Sequence, residues 1–62
     1  MKHRDLITKI QALGAVLIRH GGNHDWYQHP ETKVCQPVPR HREINETLAR
    51  HILKKFSPKS ED

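Results

Sequence analysis

The amino-terminal part of the chain repeats apolar residues at the spacing of an amphipathic helix. In residues 3–13 the apolar positions follow the pattern i, i+1, i+4 and i+7, which puts them on one helical stripe. These positions are Leu6, Ile7, Ile10 and Leu13. Gly14 follows, and glycine takes up the left-handed backbone of a helix C-terminus without steric cost. The pattern therefore predicts a first helix that ends at Gly14.

Three short segments rich in β-branched, aliphatic or aromatic residues come next, and turn residues separate them. They span residues 15–19, 24–29 and 33–38. Residues 20–23 and 30–33 form the turns between them. Because Pro37 and Pro39 cannot donate ladder hydrogen bonds, the third strand lies at a sheet edge or ends there. Turns this short predict an antiparallel meander.

The last element is predicted to be a second amphipathic helix over residues 46–56. Asn45 is a suitable N-cap, and the basic pair at 54–55 suits the helix C-terminus, which Pro58 closes. Its apolar stripe consists of Leu48, Ala49, Ile52, Leu53 and Phe56. Packed with the first helix, this stripe predicts a core that includes Ile10, Leu48, Leu53 and Phe56.

The order helix, three strands, helix predicts a single small α+β domain over residues 1–56, with residues 57–62 as a flexible tail. One face of the antiparallel sheet accepts both helices, and the other is left for solvent or a ligand. Double-stranded-RNA-binding domains have the same order of elements. That likeness concerns the fold alone and does not establish a function.

Length and charge narrow the class of protein. A chain of 62 residues is too short for a two-lobed cleft enzyme or a nucleotide-binding sheet with crossover helices. Its longest apolar run, residues 15–18, cannot span a bilayer. The single cysteine, Cys35, cannot form an internal disulfide, so a reducing cytoplasm is expected. A net charge of +4 indicates a polyanionic partner, either nucleic acid or an acidic protein.

The most informative segment for chemistry is Gly21–Tyr27, where two glycines and Asn23 precede His24. Glycines allow a backbone or a phosphate to approach closely. Imidazole takes and gives protons near neutral pH, so a histidine at this turn could activate an RNA 2′-hydroxyl for attack on the adjacent phosphorus. The alternative is that the glycines only form a hairpin and His24 is an ordinary surface histidine.

A second candidate segment is the basic loop of Arg40, His41 and Arg42 before the last helix. Arginine donates bidentately to phosphate, so this loop could hold an RNA backbone. The alternative is an ordinary solvated loop. Together with the turn before the second strand, the basic loop forms a predicted RNA-binding surface. This surface consists of Gly22, Asn23, Arg40 and His41.

The other reactive side chains suggest simpler roles. The six histidines and one cysteine show no Cys-x-x-Cys or His-Glu-x-x-His spacing, so no metal site is predicted. Cys35 is expected to be an inert, buried thiol. Trp26 and Tyr27 alternate across their strand, so one is core and the other is available to stack on a base, but the sequence does not decide which. His24 and Trp26 share a face.

These segments, in this order, resemble the HicA family of bacterial toxins. The resemblance extends over nearly the whole chain, and its most specific part is Val38-Pro39-Arg40-His41 followed by Glu43-Ile44. The family's commonest form has a Gly-Ser-His turn, and Asn23 stands here in place of that serine. The resemblance implies a double-stranded-RNA-binding-like fold and a metal-independent messenger-RNA endoribonuclease, without cofactor, from a type II toxin–antitoxin module.

The resemblance also implies a catalytic residue and a partner. The family's catalytic histidine corresponds to His24, and the partner is a HicB antitoxin that blocks the active site. Two other functions stay open at this point: a non-catalytic RNA-binding module and a degenerate toxin kept for antitoxin binding. Also open is whether His41 or water protonates the 5′-oxygen leaving group.

Overall fold

The computed structural model describes residues 1–58 of the chain. In chain order its elements are α1 (His3–Ala12), β1 (Val16–His20), β2 (His24–Gln28), β3 (Cys35–Pro39) and α2 (Glu46–Phe56). The predicted α+β fold, a helix, a three-stranded antiparallel sheet and a helix, is confirmed. It is compatible with the order of a double-stranded-RNA-binding domain. The expected tail over 57–62 stays a prediction, since residues 59–62 lie outside the described part.

The sheet is a meander in the order β1-β2-β3, with antiparallel pairing on both sides of β2. The strands differ from their predicted ranges by one or two residues at their ends. β3 begins at Cys35 rather than at residue 33 because Lys33 has a left-handed φ of 68° and belongs to the turn. The backbone N–H of Lys33 donates to the carbonyl of His29 at 2.9 Å. Pro37 and Pro39 lie on an edge strand, as predicted.

Helix α1 ends in a Schellman motif built on Gly14, which has a φ of +105°. The N–H of Ala15 donates to the carbonyl of Ile10, and the N–H of Gly14 donates to that of Gln11, both at 3.0 Å. A Cβ at Gly14 would lie 2.8 Å from the His29 ring. Backbone conformation and close packing therefore both require glycine at this position.

Helix α2 begins at the predicted N-cap, Asn45. Its Oδ1 accepts hydrogen bonds from the backbone N–H groups of Thr47 at 2.9 Å and Leu48 at 3.2 Å. Two of the donors that a helix N-terminus leaves without partners are thereby satisfied. In residues 1–58, no helix has the length and apolar character needed to cross a membrane.

The core lies between the two helices and the β2–β3 part of the sheet. α2 packs against α1 and β3. The buried apolar residues are Leu6, Ile10, Ala15, Tyr27, Val38, Ile44, Ala49, Ile52 and Phe56. Ile10 and Phe56 are core residues as predicted, and Leu53 is half-buried against the core.

The prediction that Leu48 is a core residue is wrong, because its exposed fraction is 37%. The buried residues of α2 are Ala49, Ile52 and Phe56. At 3.6 residues per turn, Leu48 and Leu53 lie roughly 70° to either side of the centre of that buried face. Both leucines therefore sit at the margins of the stripe, and the neighbouring elements decide how far each is covered.

Strand β1 is the exposed edge of the sheet, and all five of its residues are exposed. Its register with β2 shifts between Leu17 and Arg19, which marks a bulge. The side chains of Val16, Leu17 and Ile18 remain 47%, 43% and 48% exposed. Three consecutive apolar residues are thus left uncovered on the strand that leads to the candidate site.

Candidate active site

The connection between β1 and β2 is a tight turn that holds His24 at its end. The N–H of Gly21 donates to the carbonyl of His24 at 2.7 Å. A Cβ at Gly21 would lie 2.9 Å from that same oxygen, so the close approach requires glycine. A Cβ at Gly22 would meet nothing within 4 Å. Gly22, Asn23 and His24 are all exposed, and the space above the turn is open to a ligand.

His24 begins β2 and shares a face of the sheet with Trp26, as predicted, and the structure shows that this face points away from the core. Tyr27 points to the other face and is only 6% exposed, so it is the core aromatic residue. Trp26 is half-buried, and the guanidinium of Arg19 lies 5.6 Å from the centroid of its ring, within cation–π range. The outer face therefore combines an exposed imidazole with an indole and a guanidinium.

Asp25, beside His24, is the only charged residue buried within residues 1–58, with 9% exposure. Its Oδ1 accepts hydrogen bonds from His20 Nδ1 at 2.8 Å and from Arg40 Nε at 2.9 Å. An ionised carboxylate only accepts, so His20 carries a proton on Nδ1. The hydrogen bond from His20 lowers the pKa of Asp25 most, and Arg40 lowers it further. Together they outweigh the opposing effect of burial and keep the pKa below the ordinary 3.8.

Arg40 joins the loop before α2 to the turn before β2. Besides its bond to Asp25, its Nη2 donates to the carbonyl of Gly21 at 2.6 Å. Its backbone N–H donates to the carbonyl of Asn23 at 3.1 Å. Two donors of Arg40 thus hold the turn that presents His24 and a third holds Asp25, the residue after His24, while the Arg40 side chain stays 44% exposed.

An open depression lies beside Arg40, at the start of α1. Its volume is about 580 Å³. We call it the basic depression; it is lined by Lys2, His3, Arg4, Asp25, Arg40, His41 and Arg42. Asp25 faces the core side of β2, so the basic depression and His24 lie on opposite faces of the same end of the sheet. His41 is exposed on the side of the basic depression.

The structure shows no metal-binding cluster among the residues it describes. Nowhere in residues 1–58 do three His, Cys, Asp or Glu side chains come together as they would to hold a metal ion. Cys35 is a free, half-buried thiol at the start of β3, opposite Gln28 of β2. Neither feature adds a chemical group to the surface around His24.

Sequence reasoning missed the pair formed by His20 and Asp25. The available signal was strand alternation, which puts Asp25 on the same face as the core residue Tyr27. A carboxylate that faces a core must be paired with a cation or with hydrogen-bond donors. Arg40 was predicted only as a phosphate ligand, whereas the structure also gives it a part in holding the turn.

Replacing Asp25 with asparagine should lower the melting temperature at pH 7, because His20 and Arg40 lose their shared carboxylate. The pKa of Asp25 is depressed in the folded state, so its stabilising effect is present above 3.8 and is lost as the pH falls through the lower folded value. Melting curves of wild type and Asp25→Asn should therefore differ at pH 7 and converge in acid. A difference that is constant from pH 7 to pH 2 would contradict this account.

Comparison with known proteins identifies the family of the chain. A family model described as HicA toxin of bacterial toxin-antitoxin matches residues 3–56, from the first residue of α1 to the last residue of α2. The match includes all five elements, the turn with His24 and the loop with Arg40. No curated protein and no solved structure matches the chain.

Proposed function

We propose that this chain, which belongs to the HicA toxin family, is a metal-independent endoribonuclease of a type II module that cleaves mRNA with His24. Membership of the family makes the chain the toxin of a toxin–antitoxin system, and its partner is a cognate antitoxin. The finer assignment rests on one observation. An exposed imidazole stands at the end of an open glycine turn, and Arg40 bonds both to this turn and to Asp25, the residue after the imidazole.

The chemistry of this proposal is an internal attack within the RNA. His24 takes the proton of a ribose 2′-hydroxyl as general base, and the 2′-oxygen then attacks the adjacent phosphorus. The bond from phosphorus to the 5′-oxygen breaks, and that oxygen takes up a proton from water as it leaves. The products are a strand ending in a 2′,3′-cyclic phosphate and a strand beginning with a 5′-hydroxyl. The RNA supplies its own nucleophile, so the reaction requires no metal-bound water.

The surroundings of His24 suit a single strand of RNA. Trp26 offers part of its ring on the same face, where a base can stack, and Arg19 beside it supplies a positive charge. Gly22 leaves room for the backbone to cross the turn, and Asn23 is exposed beside it. We assign Arg40 and His41 to phosphate contacts beyond the turn. Such contacts bind without regard to sequence.

The decisive experiment is an assay of the purified protein on mRNA in the presence of a chelator. We expect cleavage to continue at an unchanged rate, with cyclic-phosphate ends on the products. Cleavage that stops with the chelator and returns with added metal would contradict the mechanism. RNA binding without any cleavage by the folded protein would identify a non-catalytic RNA-binding module instead.

We further propose that the antitoxin is of the HicB type and inhibits by covering His24 and Arg40. The uncovered apolar residues Val16, Leu17 and Ile18 lie on β1, the strand that leads into the turn, and exposed apolar patches mark protein interfaces. An ordinary interface of about 800 Å² per partner would cover almost a fifth of the 4475 Å² surface. A partner seated on β1 would therefore reach across the turn and exclude RNA.

This arrangement predicts that antitoxin and RNA compete for the toxin. The assay uses 2′-O-methyl RNA, which binds but lacks the nucleophile. Added antitoxin should displace this RNA completely once there is one antitoxin binding site for each toxin molecule. Association should also slow with added salt, since the toxin carries a charge of +4. Fluorescence anisotropy of labelled RNA measures both. A stable ternary complex with RNA at the toxin's own site would show that inhibition works in another way.

A further inference from the structure

The residues that line the basic depression carry an excess of positive charge. Four of its seven lining residues are cations, namely Lys2, Arg4, Arg40 and Arg42, and Asp25 is its only carboxylate. That carboxylate already accepts from His20 and Arg40. The positive charge of the basic depression is therefore left largely uncompensated by its own walls.

Two of these cations have no carboxylate partner in the described part of the chain. Lys2 lies 3.9 Å from Glu43, at the limit of an ion pair. Arg4 and Arg42 form no ion pair within residues 1–58. Like charges held close together repel, so an anion bound between them would relieve that repulsion. Guanidinium groups also match the geometry of phosphate oxygens, to which they donate in pairs.

We infer that the basic depression binds a phosphate of the RNA strand whose scissile bond lies at His24, an inference that rests on the proposed function. Arg40 lines the basic depression and also holds the turn, so the two sites adjoin through one residue. The strand then crosses the open space over Gly22, with the reacting ribose on one face of the sheet and a flanking phosphate on the other. Arg4 and Arg42 bind that flanking phosphate.

The lining of the basic depression favours RNA over a protein partner. It contains no aromatic residue other than its histidines and no large apolar side chain. Protein interfaces are centred on apolar and aromatic anchors, and the anchors of this chain lie on β1 instead. The two surfaces thus differ in chemistry, one suited to a phosphodiester and the other to a protein.

The test compares two double variants of the full chain that lose the same charge. Arg4→Ala with Arg42→Ala removes cations of the basic depression, whereas Lys54→Ala with Lys55→Ala removes two exposed cations of α2. Affinity for 2′-O-methyl RNA is measured against salt concentration, on two RNAs of unrelated sequence. We expect the arginine variant to bind both RNAs about tenfold or more weakly. Its salt dependence should flatten by about 0.7 unit of slope for each phosphate of the single strand that the variant no longer binds.

The lysine variant should keep the slope and most of the affinity of wild type, and circular dichroism should show both variants folded. Equal losses of RNA affinity in the two variants would show that the cations act only by general electrostatic attraction, and this result would overturn the inference. So would an arginine variant that binds RNA normally but binds antitoxin weakly, which would make the basic depression a protein surface. In both cases wild type would still cleave RNA, so the proposed function would stand. Failure of wild type to bind RNA at all would overturn both.

Discussion

Replacing His24 with alanine should abolish RNA cleavage and growth arrest while the protein stays folded. General acid–base catalysis by one positioned side chain contributes about 10² to 10⁴ in rate, so we expect at least a hundredfold loss. His24 is exposed at the start of β2, and substitutions at such positions usually change stability by less than about 0.5 kcal/mol. Single-turnover cleavage rates and melting temperatures of both proteins measure the two effects separately.

His51→Ala is the matched control for this prediction. His51 is also an exposed histidine, but it lies on α2 and outside the residues that line the candidate site. Its variant should cleave RNA at the wild-type rate. Equal rates for wild type and a folded His24→Ala protein would remove His24 from the mechanism, whereas a loss shared by both variants would point to a general effect of histidine removal.

The Ile52→Ala variant should be largely unfolded at 37 °C and lose toxicity for that reason. Ile52 lies on the buried face of α2, packed into the core, and has no exposed surface. Removing such a side chain typically costs about 2–5 kcal/mol. A domain of this size has roughly 5 kcal/mol of stability in total, so one substitution of this kind removes most of it. Thermal denaturation followed by circular dichroism measures the loss.

Leu48→Ala is the control for the core prediction, since it truncates an aliphatic side chain of the same size on the same helix. Leu48 is 37% exposed, so its variant should melt within a few degrees of wild type. If Ile52→Ala melted like wild type, or if Leu48→Ala were the more unstable protein, the assignment of the buried face of α2 would be wrong.

Several features of this protein follow from the sequence alone because they depend on neighbouring residues. The end of α1 at Gly14 needs a residue that accepts a φ of +105°, and glycine does so wherever it occurs. The start of α2 at Asn45 depends on a side chain that reaches N–H groups two and three residues ahead. The shared face of His24 and Trp26 follows from strand alternation. The order of elements and the position of His24 were predictable for this reason.

Other features required the tertiary structure because they join residues that are distant in sequence. The bonds from Arg40 to Asp25 and Gly21 exist because pairing of β2 with β3 brings residue 40 beside the turn. The basic depression likewise forms where the start of α1 meets the loop after β3. Burial of Tyr27 rather than Trp26, and the exposure of Leu48, depend on which side the helices cover. Local patterns supply candidate faces, but only packing determines which face is buried.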